Sequence, residues 1–193
     1  MTLEASEPAL EQGDTAPDFS LPGVDGETHS LSDYDDHEAV LVVFTCNHCP
    51  YAQAKFEALN AIAEEYDDVA VIGINPNDAE EYPEDSFEQM QAFVERGEIR
   101  YDAYLRDESQ DVAEAYGAVC TPDPFLLRYD EDRDEFVLAY HGRLDDALSP
   151  DEEPSEEPGF EVREAIESVL AGEEVDQSFR PSQGCSIKWT SED

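Results

Sequence analysis

Two apolar runs stand out from an otherwise strongly polar chain. Residues 38–45 (EAVLVVFT) and 69–75 (VAVIGIN) are continuous β-branched and apolar segments, as expected for strands that are covered on both faces of a sheet. Between them, apolar residues recur at helical spacing: Phe56, Leu59, Ile62, Ala63 and Tyr66. Proline is tolerated in the first turn of a helix, so we expect this helix to begin at Pro50. The pattern predicts a strand–helix–strand unit.

The remaining pattern extends this unit. A helix is predicted over 84–96, with a capping box of Ser86 and Gln89, an end at Gly97 and four inward residues: Phe87, Met90, Phe93 and Val94. The other predicted elements are a hairpin at Asp25-Gly26, a weak strand at 101–107, a short helix at 109–116, a hairpin of 124–130 with 135–142, and a final helix at 160–171. The order β-α-β-α-β-β-α predicts an α/β fold, a mixed central sheet with helices on both faces.

Three regions are distinguished along the chain. Residues 1–12 form an acidic N-terminal tail, 13–171 form the domain, and 172–193 form a C-terminal tail without periodicity. The tail contains the segment GCSIKW, which is too apolar to be left in solvent. We therefore expect the tail to pack back on the domain.

Charge changes the picture of the surface. The chain has 50 acidic against 10 basic residues, a formal net charge of −40, and the acids are spread along its whole length. A uniform acidic coat indicates adaptation to molar salt, where the Debye length is roughly 3 Å; the alternative is an acidic protein of ordinary salt. Nucleic acid and anionic membrane partners are disfavoured. The N-terminus lacks an apolar run, so we expect no signal peptide and a cytoplasmic location.

The candidate chemistry lies where the first strand meets its helix. The segment FTCNHCPY places Cys46 and Cys49 at C-x-x-C spacing. A helix N-terminus stabilises a thiolate, so we expect Cys46, taken as the residue nearest the helix start, to be the nucleophile and Cys49 to resolve a mixed disulfide. A protonated His48 would stabilise the thiolate further. The alternatives are two inert buried cysteines or a metal site, although the four cysteines are too scattered for a usual zinc site.

These motifs resemble those of the thioredoxin superfamily. The segment YGAVCTPDPFLL is similar to the one that carries the active-site cis-proline, which implies a cis Thr121–Pro122 bond facing Cys46 and a thioredoxin-like fold. The opening GDTAPDFSLPGVDGETHSLSDY resembles that of the redoxins, the alkyl hydroperoxide reductase/thiol-specific antioxidant group. Over residues 12–189 the chain is most similar to a peroxiredoxin-like branch with a thioredoxin-type cysteine pair.

Departures from the family patterns limit what the resemblance implies. Asn47-His48 replaces the Gly-Pro of thioredoxins and is closer to the x-His pairs of disulfide oxidases and isomerases. Residues 40–44 contain no acid where thioredoxins carry a buried aspartate, so no proton acceptor for Cys49 is identified. The signature of ordinary peroxiredoxins, a Thr and a lone Cys at fixed spacing, is also missing.

The expected function is that of a thiol-disulfide oxidoreductase using the Cys46/Cys49 couple, supported by His48, Thr121 and Pro122. The alternatives are a peroxiredoxin-like thiol peroxidase and a non-enzymatic redox sensor or copper metallochaperone. We expect no metal and no cofactor. The implied partners are thiols, disulfides or peroxides, and a reducing thioredoxin or reductase. Cys120 and Cys185 are either buried packing residues or auxiliary thiols that exchange with the Cys46–Cys49 disulfide or protect Cys46 from over-oxidation.

Overall fold

The computed structural model describes residues 2–191, which contain ten strands and five α-helices. The strands are β1 (Leu3–Ala5), β2 (Ser20–Pro22), β3 (Thr28–Ser30), β4 (Ala39–Phe44), β5 (Val69–Asn75), β6 (Ala103–Arg106), β7 (Cys120–Thr121), β8 (Asp123–Asp130), β9 (Glu135–His141) and β10 (Gln183–Ser186). The helices are α1 (Pro50–Gln53), α2 (Phe56–Glu65), α3 (Phe87–Glu95), α4 (Asp111–Tyr116) and α5 (Phe160–Leu170).

A five-stranded mixed sheet forms the centre of the fold, in the order β6-β5-β4-β8-β9. β4, β5 and β6 are parallel, whereas β8 and β9 form an antiparallel hairpin against β4. One face packs against α2 and α5, and the other against α4 and the N-terminal segment. Both faces of β4 and β5 are therefore buried, which explains their continuous apolar sequence. The thioredoxin-like α/β fold, with the N-terminal hairpin of β2 and β3, is confirmed.

The two ends of the chain meet in a second, small sheet. β10 pairs antiparallel with β1 on one side and with β7 on the other. Cys185 and Ile187 of the apolar GCSIKW segment are buried there. This sheet holds the C-terminal segment directly beside Thr121 of β7.

Three predicted details are wrong or incomplete. The helix after β4 is interrupted, because the backbone N–H of Lys55 turns back to the carbonyl of Ala52 and separates α1 from α2. Val94 is 36% exposed, since α3 packs against the core chiefly through Met90. At the start of α3, the Ser86 hydroxyl accepts a hydrogen bond from the backbone N–H of Gln89, so this half of the predicted capping box is present.

Candidate active site

The C-x-x-C pair lies in the turn between β4 and α1. Cys46 and Cys49 are both completely buried. The helix begins at Pro50, whose ring suits the first helical position, and Cys49 is its N-cap residue. The premise that Cys46 lies nearest the helix start is therefore wrong, since residues 45–48 form the turn that precedes the helix. Cys49 is thus the cysteine at the helix start, although its side chain makes no capping hydrogen bond and its backbone N–H lowers the pKa of Cys46.

Thr121, the residue before the cis-proline, lies against both cysteines. The Thr121–Pro122 bond is cis, as the resemblance implies. Cys46 Sγ and Thr121 Oγ1 are 3.4 Å apart and form a hydrogen bond, while Cys49 Sγ lies 3.7 Å from the Thr121 carbonyl oxygen. The segment between β7 and β8 thus brings one residue into contact with both sulfur atoms.

The sulfur of Cys49 is bonded to Cys185 and not to Cys46. This disulfide joins residues 136 positions apart, with a Cα–Cα distance of 6.3 Å. Strand register explains the pairing: Cys185 of β10 lies directly opposite Thr121 of β7, and opposite residues of paired strands share a face. Thr121 faces the C-x-x-C pair, so Cys185 faces it too.

The same register places the side chain of Cys120 away from the C-x-x-C pair. Cys120 precedes Thr121 on β7, so its side chain points to the opposite face of the small sheet. It is buried and has a free thiol. Of the two auxiliary cysteines, the fold brings Cys185 to the pair and turns the side chain of Cys120 away from it.

Asp85 is the site residue that sequence reasoning missed. It lies in a short 3-10 turn, Pro83–Asp85, and is completely buried. Its carboxylate accepts hydrogen bonds from the Asn47 backbone N–H (2.7 Å), from Asn77 Nδ2 (2.8 Å) and, more weakly, from Asn75 Nδ2 (3.4 Å). Asp85 Oδ2 is also 2.5 Å from Nδ1 of His48, which places an ion pair beside the cysteines.

The charges of this pair follow from its contacts. Burial alone would raise the pKa of Asp85, but His48, Asn77 and the Asn47 N–H together lower it. The Asp85 carboxylate raises the pKa of His48. Asp85 is thus held as a carboxylate and His48 is biased towards the imidazolium.

The Cys46 thiol is not activated in this disulfide form. Burial raises the pKa of Cys46 to about 12, and the Asp85 carboxylate acts in the same direction. The Thr121 hydroxyl and the Cys49 backbone N–H oppose this increase without cancelling it. At neutral pH Cys46 is therefore a protonated thiol.

Cys46, His48 and Asp85 also form a group with metal-ligand chemistry. Their ligand atoms lie within 4.8 Å of one another. A thiolate, an imidazole and a carboxylate together suit zinc better than Cu(I), which prefers soft sulfur ligands. A copper site of Cys46, Cys49 and a histidine does not fit the disulfide form, because Cys49 is already bonded to Cys185.

Among residues 2–191, no helix has the length and apolar character needed to cross a membrane.

Comparison with known proteins supports this account of the fold. A crystal structure of an uncharacterized conserved protein from Geobacillus kaustophilus matches with a TM-score of 0.89 at 37% identity, covering 100% of this chain and 99% of that one. A crystal structure of a hypothetical protein from Sinorhizobium meliloti 1021 matches with a TM-score of 0.87 at 39% identity, covering 97% and 99% of the two chains.

The curated proteins and the family comparison agree with this result. The "Thioredoxin-like protein YneN" of Bacillus subtilis (strain 168) is 27% identical over 127 residues, which cover 65% of this chain and 71% of YneN. The model of the AhpC/TSA family matches residues 12–146, which include the C-x-x-C turn and the cis-proline. The chain therefore belongs to the AhpC/TSA family and is a redoxin with a thioredoxin-like fold.

Proposed function

We propose that the protein is a thiol-disulfide oxidoreductase that uses the Cys46/Cys49 couple. The observation that carries the proposal is the convergence of both sulfur atoms on Thr121, at the turn between β4 and α1. Family membership supports thiol chemistry of this general kind. The substrates are then thiols and disulfides, and a thioredoxin or reductase would return the couple to the dithiol.

The reaction is a two-electron exchange. The thiolate of Cys49, at the N-cap of α1, attacks a substrate disulfide, forms a mixed disulfide and releases one substrate thiolate. Cys46 then attacks Cys49 Sγ, which releases the second substrate thiol and leaves the Cys46–Cys49 disulfide. The substrate gains the two electrons that the couple loses. We assign the first attack to Cys49 because it is the cysteine at the helix start and the member of the pair that forms a disulfide in this structure.

Reduction of insulin disulfides in molar KCl tests this function. We expect Cys49→Ser to lower the rate at least 100-fold, and the double variant Cys46→Ser/Cys185→Ser, which lacks both cysteines that could resolve the mixed disulfide, to leave protein trapped in mixed disulfides. Cys120→Ser is the matched control, because its thiol is equally buried but faces away from the pair. Retention of more than half of the activity by Cys49→Ser would contradict the proposal.

Peroxide reduction is a second candidate, favoured specifically by the Cys49–Cys185 disulfide. A Cys49 thiolate that attacks a peroxide becomes a sulfenic acid and releases an alcohol or water. Condensation with the Cys185 thiol then releases water and gives the observed disulfide. Stopped-flow mixing of the reduced protein with hydrogen peroxide separates the two functions. Rapid peroxide consumption without insulin reduction would favour the peroxidase.

A further inference from the structure

Cys185 occupies a defined position at the candidate site. β10 holds it between β1 and β7, and the register places it opposite Thr121, the residue that contacts both Cys46 and Cys49. It is 2% exposed and lies in the same buried cluster as the C-x-x-C pair. The sulfur atoms of Cys46, Cys49 and Cys185 therefore lie at one site, and Cys49 is bonded to Cys185, which is 136 positions away in the sequence.

We propose that Cys185 is a second resolving thiol, and that Cys49 exchanges its disulfide between Cys185 and Cys46. The proposal rests on the proposed function and adds a third redox-active residue to it. The oxidised protein then has two forms, Cys49–Cys185 and Cys46–Cys49, which interconvert within one molecule.

The exchange is balanced and needs no external oxidant or reductant. The Cys46 thiolate attacks Cys49 Sγ, the Cys46–Cys49 bond forms, and the Cys49–Cys185 bond breaks. Cys185 leaves as a thiolate and takes up the proton that Cys46 has lost. No electrons enter or leave the protein, because one disulfide and one thiol are present on both sides.

The contacts of Cys46 place it for the exchange. Its sulfur is buried against Thr121, the residue that also contacts Cys49, and the ligand atoms of His48 and Asp85 lie within 4.8 Å of it. The Cys49–Cys185 bond leaves Cys46 as a thiol at the same site as the disulfide that it would attack.

A purely structural disulfide would leave this arrangement unexplained. The bond to Cys185 occupies Cys49, the sulfur at the helix start, and leaves Cys46 without a disulfide partner. The fold directs Cys185 to the redox pair and Cys120 away from it.

The two disulfide forms can be separated by tryptic mapping. Trypsin cleaves after lysine and arginine, and Lys55 is the first of these in the chain, so Cys46 and Cys49 lie together in fragment 1–55. Cys185 lies in another fragment, which ends at Lys188. The Cys49–Cys185 form therefore links two fragments, whereas the Cys46–Cys49 form gives an internal disulfide within fragment 1–55.

The experiment equilibrates the full chain in glutathione buffers in molar KCl, followed by acid quenching, alkylation and mapping. We expect oxidised wild type and Cys120→Ser to show both the linked fragments and the internal disulfide, because the two forms interconvert. Cys185→Ser should show only the internal form, and its oxidised-to-reduced ratio at fixed glutathione should fall at least tenfold, which corresponds to about 30 mV. Cys46→Ser should retain only the linked form.

Several results would overturn the proposal. One is an oxidised wild type that contains only one of the two disulfide forms at every glutathione ratio; another is a glutathione equilibrium for Cys185→Ser equal to that of Cys120→Ser. If Cys185→Ser fails to fold, Cys185→Ala gives the same map. The proposed function fails separately: inactivity towards insulin, with the disulfide still moving between the two forms, would refute the substrate class and support the exchange.

Discussion

Two buried aspartates in this protein are each paired with a histidine, yet their surroundings differ. Asp85 is paired with His48 near Cys46. Asp123, the residue that follows the cis-proline, is paired with His141. Both carboxylates are completely buried. The distances between the imidazole nitrogen and the carboxyl oxygen are also similar, 2.5 Å for His48–Asp85 and 2.8 Å for His141–Asp123.

The hydrogen-bond donors make the difference. Asp85 accepts hydrogen bonds from Asn47, Asn75 and Asn77 in addition to forming an ion pair with His48. Asp123 accepts from His141 alone, and neither Asp123 Oδ2 nor His141 Nδ1 has a hydrogen-bond partner among residues 2–191. Burial raises the pKa of Asp123, whereas the donors around Asp85 overcome burial and lower its pKa.

The comparison shows that burial does not by itself decide the charge of a carboxylate. A carboxylate that accepts several hydrogen bonds remains ionised in a dry interior, while one with a single donor is biased towards the acid. Asp85 can therefore act electrostatically on Cys46, and Asp123 is chiefly a packed polar pair, stacked through His141 on Phe125 at 4.0 Å. Each prediction below tests this difference.

The largest effect is expected from removing a histidine. His141→Leu leaves the Asp123 carboxyl group buried with no other donor, so we expect the free energy of unfolding to fall by about 2 kcal/mol. His48→Leu should cost only about 1 kcal/mol, because Asp85 keeps its amide donors. Urea unfolding in molar KCl measures both.

A second substitution controls for lost packing. Asp123→Leu in the His141→Leu background removes the buried carboxyl group that has lost its hydrogen-bond donor and should restore part of the stability. A larger loss for His48→Leu than for His141→Leu would reverse the comparison.

The next effect concerns thiol reactivity. Asp85→Asn removes a carboxylate that raises the pKa of Cys46, so we expect the alkylation of Cys46 at pH 7 to become about tenfold faster, equivalent to one pKa unit. In the oxidised protein Cys49 is blocked by its disulfide, so the alkylation of fragment 1–55 by iodoacetamide reports Cys46 alone. Asp123→Asn is the matched control and should leave this rate unchanged. Equal rates in wild type and Asp85→Asn would refute the electrostatic role.

A smaller effect is expected in the pH dependence of stability. Asp85 has a lowered pKa in the fold, so its contribution is present above its unfolded pKa and is lost as the pH falls through the folded value. Asp123 has a raised pKa, so its contribution is present below the unfolded pKa and is lost as the pH rises through the folded value. We therefore subtract the free energy of unfolding of each variant, Asp85→Asn or Asp123→Asn, from that of wild type. In acid the two differences should change with pH in opposite directions, each by less than about 1.4 kcal/mol per pH unit. Slopes of the same sign would contradict the assignment.

The sequence predicted the frame of the site but not its electrostatics. Apolar periodicity located β4, β5 and α2, because strands and helices with buried faces leave a direct pattern. Asp85 left no such signal. It belongs to a polar stretch with five other acids between positions 78 and 88, in a chain with 50 of them, so a buried acid resembles its solvated neighbours.

The cysteine pairing was equally hidden, for a different reason. The partner of Cys49 is 136 positions away and is selected by the register of β10 against β7. Register depends on the tertiary arrangement of the two chain ends, and neither strand is longer than four residues. The apolar GCSIKW segment indicated a packed tail, but it carried no information about which face Cys185 presents.

The smallest effect is expected from salt on the buried pair. The acidic coat, with a net charge of −40, repels itself in dilute buffer, so we expect overall stability to rise as KCl increases towards molar concentrations. The His48–Asp85 pair is partly shielded from ions, since Asp85 has no exposed surface. Its coupling energy in a double-mutant cycle should change by less than about 0.5 kcal/mol over the same range.

An exposed pair provides the control for this measurement. Arg100 and Glu64 are 2.9 Å apart, with side chains 41% and 58% exposed, so their coupling should disappear in molar KCl. If the His48–Asp85 coupling disappeared in parallel, the pair would be accessible to solvent ions. The influence of Asp85 on Cys46 would then also be screened in molar KCl.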